Sequence, residues 1–119
     1  TPGEVRRLLD ACSNGPMGVR NRALIAMLYR TGMRISEASA LKPKDLDLDA
    51  GAIRILRGKG GRARAVGIDP GGAEMVVAWL VVRDRLGIDR TAPLFCTGSG
   101  KPLRASYIRV LLPRLGRRA

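Results

Sequence analysis

The stretch Thr31-Gly32-Met33-Arg34-Ile35-Ser36-Glu37 decides how this chain folds, because one helix must close in it and another must open. Upstream, from Val19 to Arg30, the run Ala23-Leu24-Ile25-Ala26-Met27-Leu28 is apolar nearly all round, the mark of a helix at the centre of a core. Gly32 is placed to end that helix as a C′ residue with positive φ. A second, short helix is expected from Ile35 to Leu41, stopped before Pro43. Arg34 then lies in the bend between two helices, on a rigid mount. A guanidinium there is either a surface charge that caps the carbonyls of the preceding helix or a pre-positioned clamp for a phosphate.

Downstream, Asp45-Leu46-Asp47-Leu48-Asp49 alternates polar and apolar and predicts a half-buried strand. Ala50-Gly51 makes a turn, and Ala52 to Arg57 reads as a second strand. Gly58-Lys59-Gly60-Gly61-Arg62 forms a hairpin tip, and Ala63 to Ile68 returns as a third strand. Arg54, Arg57, Lys59, Arg62 and Arg64 make this hairpin a dense basic ribbon, which equally serves to protect a sheet edge from aggregation. At the N-terminal end, Thr1-Pro2-Gly3-Glu4 reads as a capped helix start, with Val5, Leu8, Leu9 and Cys12 at helical spacing. Asp69-Pro70 opens a further helix, in which residues 76–82 are expected to be largely buried and Trp79 to be core. A last helix is expected from about Ala105 to Leu115, kinked or frayed by Pro113. The predicted fold is α+β: mainly helical, with a small three-stranded antiparallel sheet at one edge.

Composition narrows the partners. The 119 residues suffice for one domain. Lys and Arg number 22 against 10 acids, a formal charge of +12, which points to a polyanion, nucleic acid before acidic protein or a membrane surface. Aromatics at 3% argue against single strands held by base stacking and for a duplex held by its phosphates. The absence of histidine removes a Ser-His-Asp triad and the usual zinc sites. Cys12 and Cys96 stand alone, which favours a reducing compartment over a disulfide framework. No apolar run has the length of a membrane span, and the first residues do not read as a signal peptide.

Together these residues resemble the catalytic domain of the tyrosine recombinase (phage integrase) family. The likeness covers almost the whole chain: Thr1 to Leu9 as the domain's opening helix, Arg22-Ala23-Leu24 through Thr31-Gly32-Met33-Arg34-Ile35-Ser36-Glu37, Leu41 to Asp47, Gly58-Lys59-Gly60 through Val66, and Leu94-Phe95 with Gly100-Lys101-Pro102-Leu103. The Thr-Gly-x-Arg-x-x-Glu box followed by the Gly-Lys-Gly hairpin is a specific combination; either alone is weak. The resemblance implies a DNA breaking-rejoining catalytic core, with Arg34 as the first catalytic arginine. It makes Lys59 the hairpin lysine that protonates the departing 5′ oxygen, and Glu37 a support to the active site rather than a proton donor. Arg57, Arg62 and Arg64 become DNA-backbone contacts, with hairpin packing as the other role for Arg62 and Arg64.

The family's remaining groups, a His-x-x-Arg box, a further His or Trp, and the tyrosine nucleophile, have no counterpart in residues 1–119. Tyr29 precedes Arg34 on the core helix and Tyr107 opens the last helix; neither occupies the nucleophile's place. Residues 1–119 are therefore expected to be the first portion of a catalytic domain and to be inactive alone. The implied function is site-specific DNA recombination through a 3′-phosphotyrosyl intermediate, needing no metal and no other cofactor. The implied partners are double-stranded DNA and other recombinase protomers, in the cytoplasm at a bacterial nucleoid and away from membranes. A non-catalytic duplex-binding module, or a basic RNA-binding protein, are the alternatives from other classes.

Overall fold

The computed structural model describes the backbone of residues 2–56 and 63–118, and the side chains of residues 3–56 and 63–113. Five helices and a three-stranded sheet follow in the order α1 (Pro2–Asp10), α2 (Pro16–Thr31), α3 (Ile35–Ala40), a 3-10 turn (Pro43–Asp45), β1 (Leu46–Asp47), β2 (Ala52–Leu56), β3 (Ala63–Gly67), α4 (Pro70–Arg85) and α5 (Ala105–Arg118). The sheet is antiparallel with order β1-β2-β3. Architecture and strand direction are those expected. Thr1, Arg57, Lys59 and Arg62 lie outside the described residues, so the Thr1 cap and the hairpin tip do too.

Helix α2 is the axis of the core. Ala23, Leu24, Ile25, Ala26 and Met27 have no solvent exposure, and each buried Leu, Ile or Met contributes about 1.5–3 kcal/mol by leaving water. Its longest packing seam is with α4, and α1 packs against both α2 and α5. Ile53 and Ile55 of β2 plug the sheet into this core. The chain turns from α1 into α2 so tightly that a methyl on Gly18 would stand 1.7 Å from the Ser13 carbonyl oxygen. Arg22 fixes the same turn, donating from Nη1 to the carbonyls of Cys12 (3.3 Å) and Ser13 (3.0 Å).

Two arginines are buried, and neutral acceptors hold them. Arg20 donates to Asn21 Oδ1 from Nε (3.1 Å) and Nη2 (2.9 Å), and to the Cys96 carbonyl from Nη1 (3.3 Å). Arg83 gathers the carbonyls of Asp89 (3.2 Å), Ala92 (2.8 Å) and Pro93 (3.0 Å) on Nη2. Trp79 donates from Nε1 to the Leu94 carbonyl (2.7 Å), while the Leu94 N–H reaches the Leu41 carbonyl (2.7 Å). The segment Leu94-Phe95-Cys96 is thereby pinned, fully buried, between α4 and the end of α3.

Three expectations need correction. The acidic alternation 45–49 yields only a two-residue strand, because its carboxylates are used on turns: Asp45 accepts the Lys42 N–H (2.9 Å) and Asp47 the Ala50 N–H (3.3 Å). Residues 76–82 are not largely buried. The buried stripe of α4 is Gly72, Val76, Trp79 and Arg83, at spacings of one turn, and Val77 and Val81 face outward, 45% and 44% exposed. Helix α5 runs through Pro113 to Arg118, beyond the predicted end at Leu115. Among the described residues no helix is long and apolar enough to cross a membrane.

The Gly18 contact carries a direct test. Gly18→Ala is expected to cost about 1–3 kcal/mol by overpacking. Gly3→Ala, whose methyl meets nothing within 4 Å, is expected to be neutral or to stabilise by about 0.5–1 kcal/mol. Urea midpoints of the two variants against wild type check the contrast.

Candidate functional site

The junction between α2 and α3 is built residue by residue. The Thr31 hydroxyl donates back to the Met27 carbonyl and accepts the Met33 N–H (3.2 Å), so it staples the last turn of α2 to the chain beyond it. Gly32 sits at φ 73 and its N–H closes on the Leu28 carbonyl at 3.2 Å. A side chain at that left-handed position would cost about 1–2 kcal/mol. Met33 is driven into the core, 4% exposed. The next residue, Arg34, is thereby turned outward as the N-cap of α3 with extended backbone (φ −77, ψ 152). A buried residue before it and a half-buried one after it leave its backbone little freedom, while its guanidinium makes no hydrogen bond among the described residues.

Glu37 completes the junction. Its Oε1 accepts the Arg34 N–H at 2.9 Å, satisfying one of the orphan donors of a helix start. The same carboxylate receives Arg64 of β3 as a fork: Nη1 donates to Oε2 and Nη2 donates to Oε1 at 3.1 Å. Arg64 can reach it because of strand parity. In the β2–β3 register Ile55 faces Arg64 and Ile53 faces Val66, which puts Arg64 on the core side of the hairpin with the buried isoleucines. Arg54 and Leu56 occupy the other face and are exposed.

The electrostatics follow from that geometry. The paired Arg64 fork holds the Glu37 carboxyl below its ordinary range, helped by the Arg34 N–H and, more weakly, by the Arg64 and Arg34 charges, and Glu37 in turn pushes the Arg64 guanidinium further up. Of the residues singled out in the sequence, the fold therefore joins Arg34, Glu37 and Arg64. Lys59, Arg57 and Arg62 fall in the 57–62 segment outside the described residues, which β2 and β3 flank. The Glu37–Arg64 fork escaped the sequence reading, although period-two alternation from Val66 back to Arg64 marks Arg64 as inward-facing. Tyr29 is half exposed on α2. The Tyr107 ring, itself 42% exposed, lies 6.0 Å from the Arg20 guanidinium carbon, so it packs on a buried cation rather than within the core. Cys12 and Cys96 are free and buried, and burial pushes the Cys12 thiol up despite the nearby Arg22. Among the described residues no three His, Cys, Asp or Glu side chains converge as a metal site would require.

A family model described as the phage integrase family matches residues 1–119. The chain belongs to the phage integrase family. It is 35% identical over 106 residues to the tyrosine recombinase XerC of Escherichia coli O157:H7, covering 89% of this chain and 35% of that protein. The fold superposes on the crystal structure of XerA recombinase with a TM-score of 0.87 at 27% identity, over 99% of this chain and 41% of that one. It superposes on XerH site-specific recombinase bound to its difH substrate, in a pre-cleavage complex, with a TM-score of 0.77 at 32% identity, over 95% of this chain and 34% of that one. The chain thus spans about a third of the length of the XerC relative.

The depressed Glu37 carboxyl makes stability pH-dependent with a definite sign. A free glutamate titrates near about 4.3, and the folded protein holds Glu37 ionised to lower pH than that. Its contribution is complete above the unfolded value and is lost as pH falls through the lower folded value. Glu37→Gln is expected to lower stability at pH 7, with the gap to wild type narrowing as the pH falls below the free carboxyl's range and through the depressed folded value. Urea unfolding at several pH values checks this.

Proposed function

We propose that this chain is part of the catalytic domain of a site-specific DNA recombinase, in which Arg34 clamps the scissile phosphate. One observation carries the proposal: an exposed guanidinium, without a hydrogen bond or ion pair among the described residues, on a backbone that Gly32, Met33 and Glu37 hold in place beside the β2–β3 hairpin. Strand cleavage by a tyrosine hydroxyl adds charge to the non-bridging oxygens of the phosphate, and a bidentate guanidinium that need not reorganise stabilises that charge. Lys59 is proposed as the acid. It gives its proton to the departing 5′ oxygen as the tyrosine–phosphorus bond forms, and a 5′ hydroxyl of the partner strand later reverses the exchange. The phosphodiester's energy is kept in the 3′-phosphotyrosyl link, so the exchange runs without ATP.

Arg57 and Arg62 are proposed as contacts to the DNA backbone, and Glu37 as support for Arg34. Duplex DNA and further recombinase protomers are the proposed partners, in the cytoplasm. The XerH comparison supports the DNA, since that protein is bound to its difH substrate. Neither tyrosine of this chain stands at a nucleophile's place: Tyr29 lies on α2, before the box, and Tyr107 rests against Arg20. These 119 residues alone are therefore proposed to bind DNA without cutting it.

Two measurements test this. Incubation with a nicked suicide duplex is expected to give no covalent adduct; an adduct mapped to Tyr29 or Tyr107 would overturn the assignment. Duplex affinity measured across a salt series is expected to fall steeply. Arg34→Ala should reduce the slope of log K against log salt by about 0.9, the loss of one phosphate contact. An unchanged slope, or preference for structured RNA at matched salt, would sink the clamp.

A further inference from the structure

We infer that Arg64 is a positioning residue that keeps Glu37 occupied, so that the clamp arginine, Arg34, is held by its backbone and left free at its side chain. Arg34's role as a clamp here rests on the proposed function. Glu37 lies three residues after Arg34, where it is the carboxylate nearest in sequence able to close a salt bridge onto the Arg34 guanidinium. Such a bridge would neutralise the charge that a phosphate needs. In the folded chain it does not form. Both carboxylate oxygens take the Arg64 fork, and Oε1 also takes the Arg34 N–H.

Arg64 is suited to this by its place in the sheet. It stands opposite buried Ile55 on the inward face of the hairpin, so its side chain runs towards α3 instead of away from the protein. With one hydrogen of each of Nη1 and Nη2 given to Glu37, the end-on fork of Arg64 is taken by the carboxylate. Lysine could not substitute, because a single ammonium does not match both carboxylate oxygens. Helix α3 has only six residues, too few to stand without a tertiary tie. The fork supplies one, and it fixes the start of β3, the strand that leaves the 57–62 segment, against the Arg34 backbone. One carboxylate therefore sets both the freedom of Arg34 and the spacing between the hairpin and the junction.

Rescue distinguishes this role from a direct phosphate contact. Arg64→Met is expected to weaken duplex binding and reduce the salt slope by about 0.9, because the released Glu37 closes onto Arg34. Adding Glu37→Gln to Arg64→Met is expected to restore the wild-type slope, since the freed Arg34 has no carboxylate to pair with. On an Arg34→Ala background, Arg64→Met should change the slope no further. A double variant that binds as weakly as Arg64→Met would overturn the inference and make Arg64 a phosphate contact.

A second readout does not depend on DNA. Arg64→Met should shift both the Arg34 Nε resonance and the Glu37 carboxyl carbon resonance at neutral pH, as the released carboxylate closes on the Arg34 guanidinium. If both stay as in wild type, the inference fails whatever the DNA result. If wild type does not bind duplex at all, the proposed function fails, and the NMR measurement alone decides the role of Arg64. Should Arg64→Met not fold, Arg64→Lys with and without Glu37→Gln is read against the same outcomes.

Discussion

The Glu37 carboxylate accepts three hydrogen bonds, one from the Arg34 backbone and two from the Arg64 fork, and the geometry of the junction depends on it. Without those acceptor oxygens, α3 would begin with an unsatisfied N–H and the hairpin would meet it with a loose guanidinium. With them, a six-residue helix and a two-stranded ribbon become one body. Charge-assisted hydrogen bonds of this kind are the strong ones, and the paired geometry adds direction as well as energy.

That body is mounted on a core that leaves it little play. Thr31 staples the end of α2, Gly32 takes the left-handed turn, and Met33 is buried, so three consecutive residues fix the direction in which Arg34 leaves the backbone. Behind them α2 is closed on α4, and the buried cations Arg20 and Arg83 act as stitches through backbone carbonyls. A guanidinium serves there because it offers five donors in a rigid plane. One Arg83 side chain ties three carbonyls of the connection after α4, and Arg20 ties Cys96 to α2.

Charge is distributed to the same end. The chain holds 22 basic residues and 10 acids, and several of those acids are committed locally. Asp45 and Asp47 accept backbone N–H groups, Asp89 accepts from Thr91, Asp69 pairs with Arg30, and Glu37 pairs with Arg64. None of these carboxylates takes a hydrogen bond from the Arg34 side chain, so an exposed cation stands at the junction. A polyanion meets the excess charge of such a surface at low cost, because it releases its own counterions.

How much of this was legible in the residues depends on the range of the interaction. The helix end at Gly32, the short α3, the hairpin strands and the core character of Ala23–Leu28 and Trp79 follow from local periodicity, φ preference and apolar content, and they stand in the sequence. The box and the basic ribbon could be read there too, since each is a run of adjacent residues. Which face of α4 is covered could not, because Val76 and Val77 are equally apolar and packing against α2 selects between them. The acids of 45–49 looked like strand alternation because their use as turn acceptors depends on backbone already bent. The partner of Glu37 lay 27 residues away, and only the pairing of β2 with β3 brings Arg64 to it. Local chemistry wrote the elements and the exposed arginine; the folded chain, by choosing who meets whom across the hairpin, settled that its carboxylate neighbour would be held by another cation.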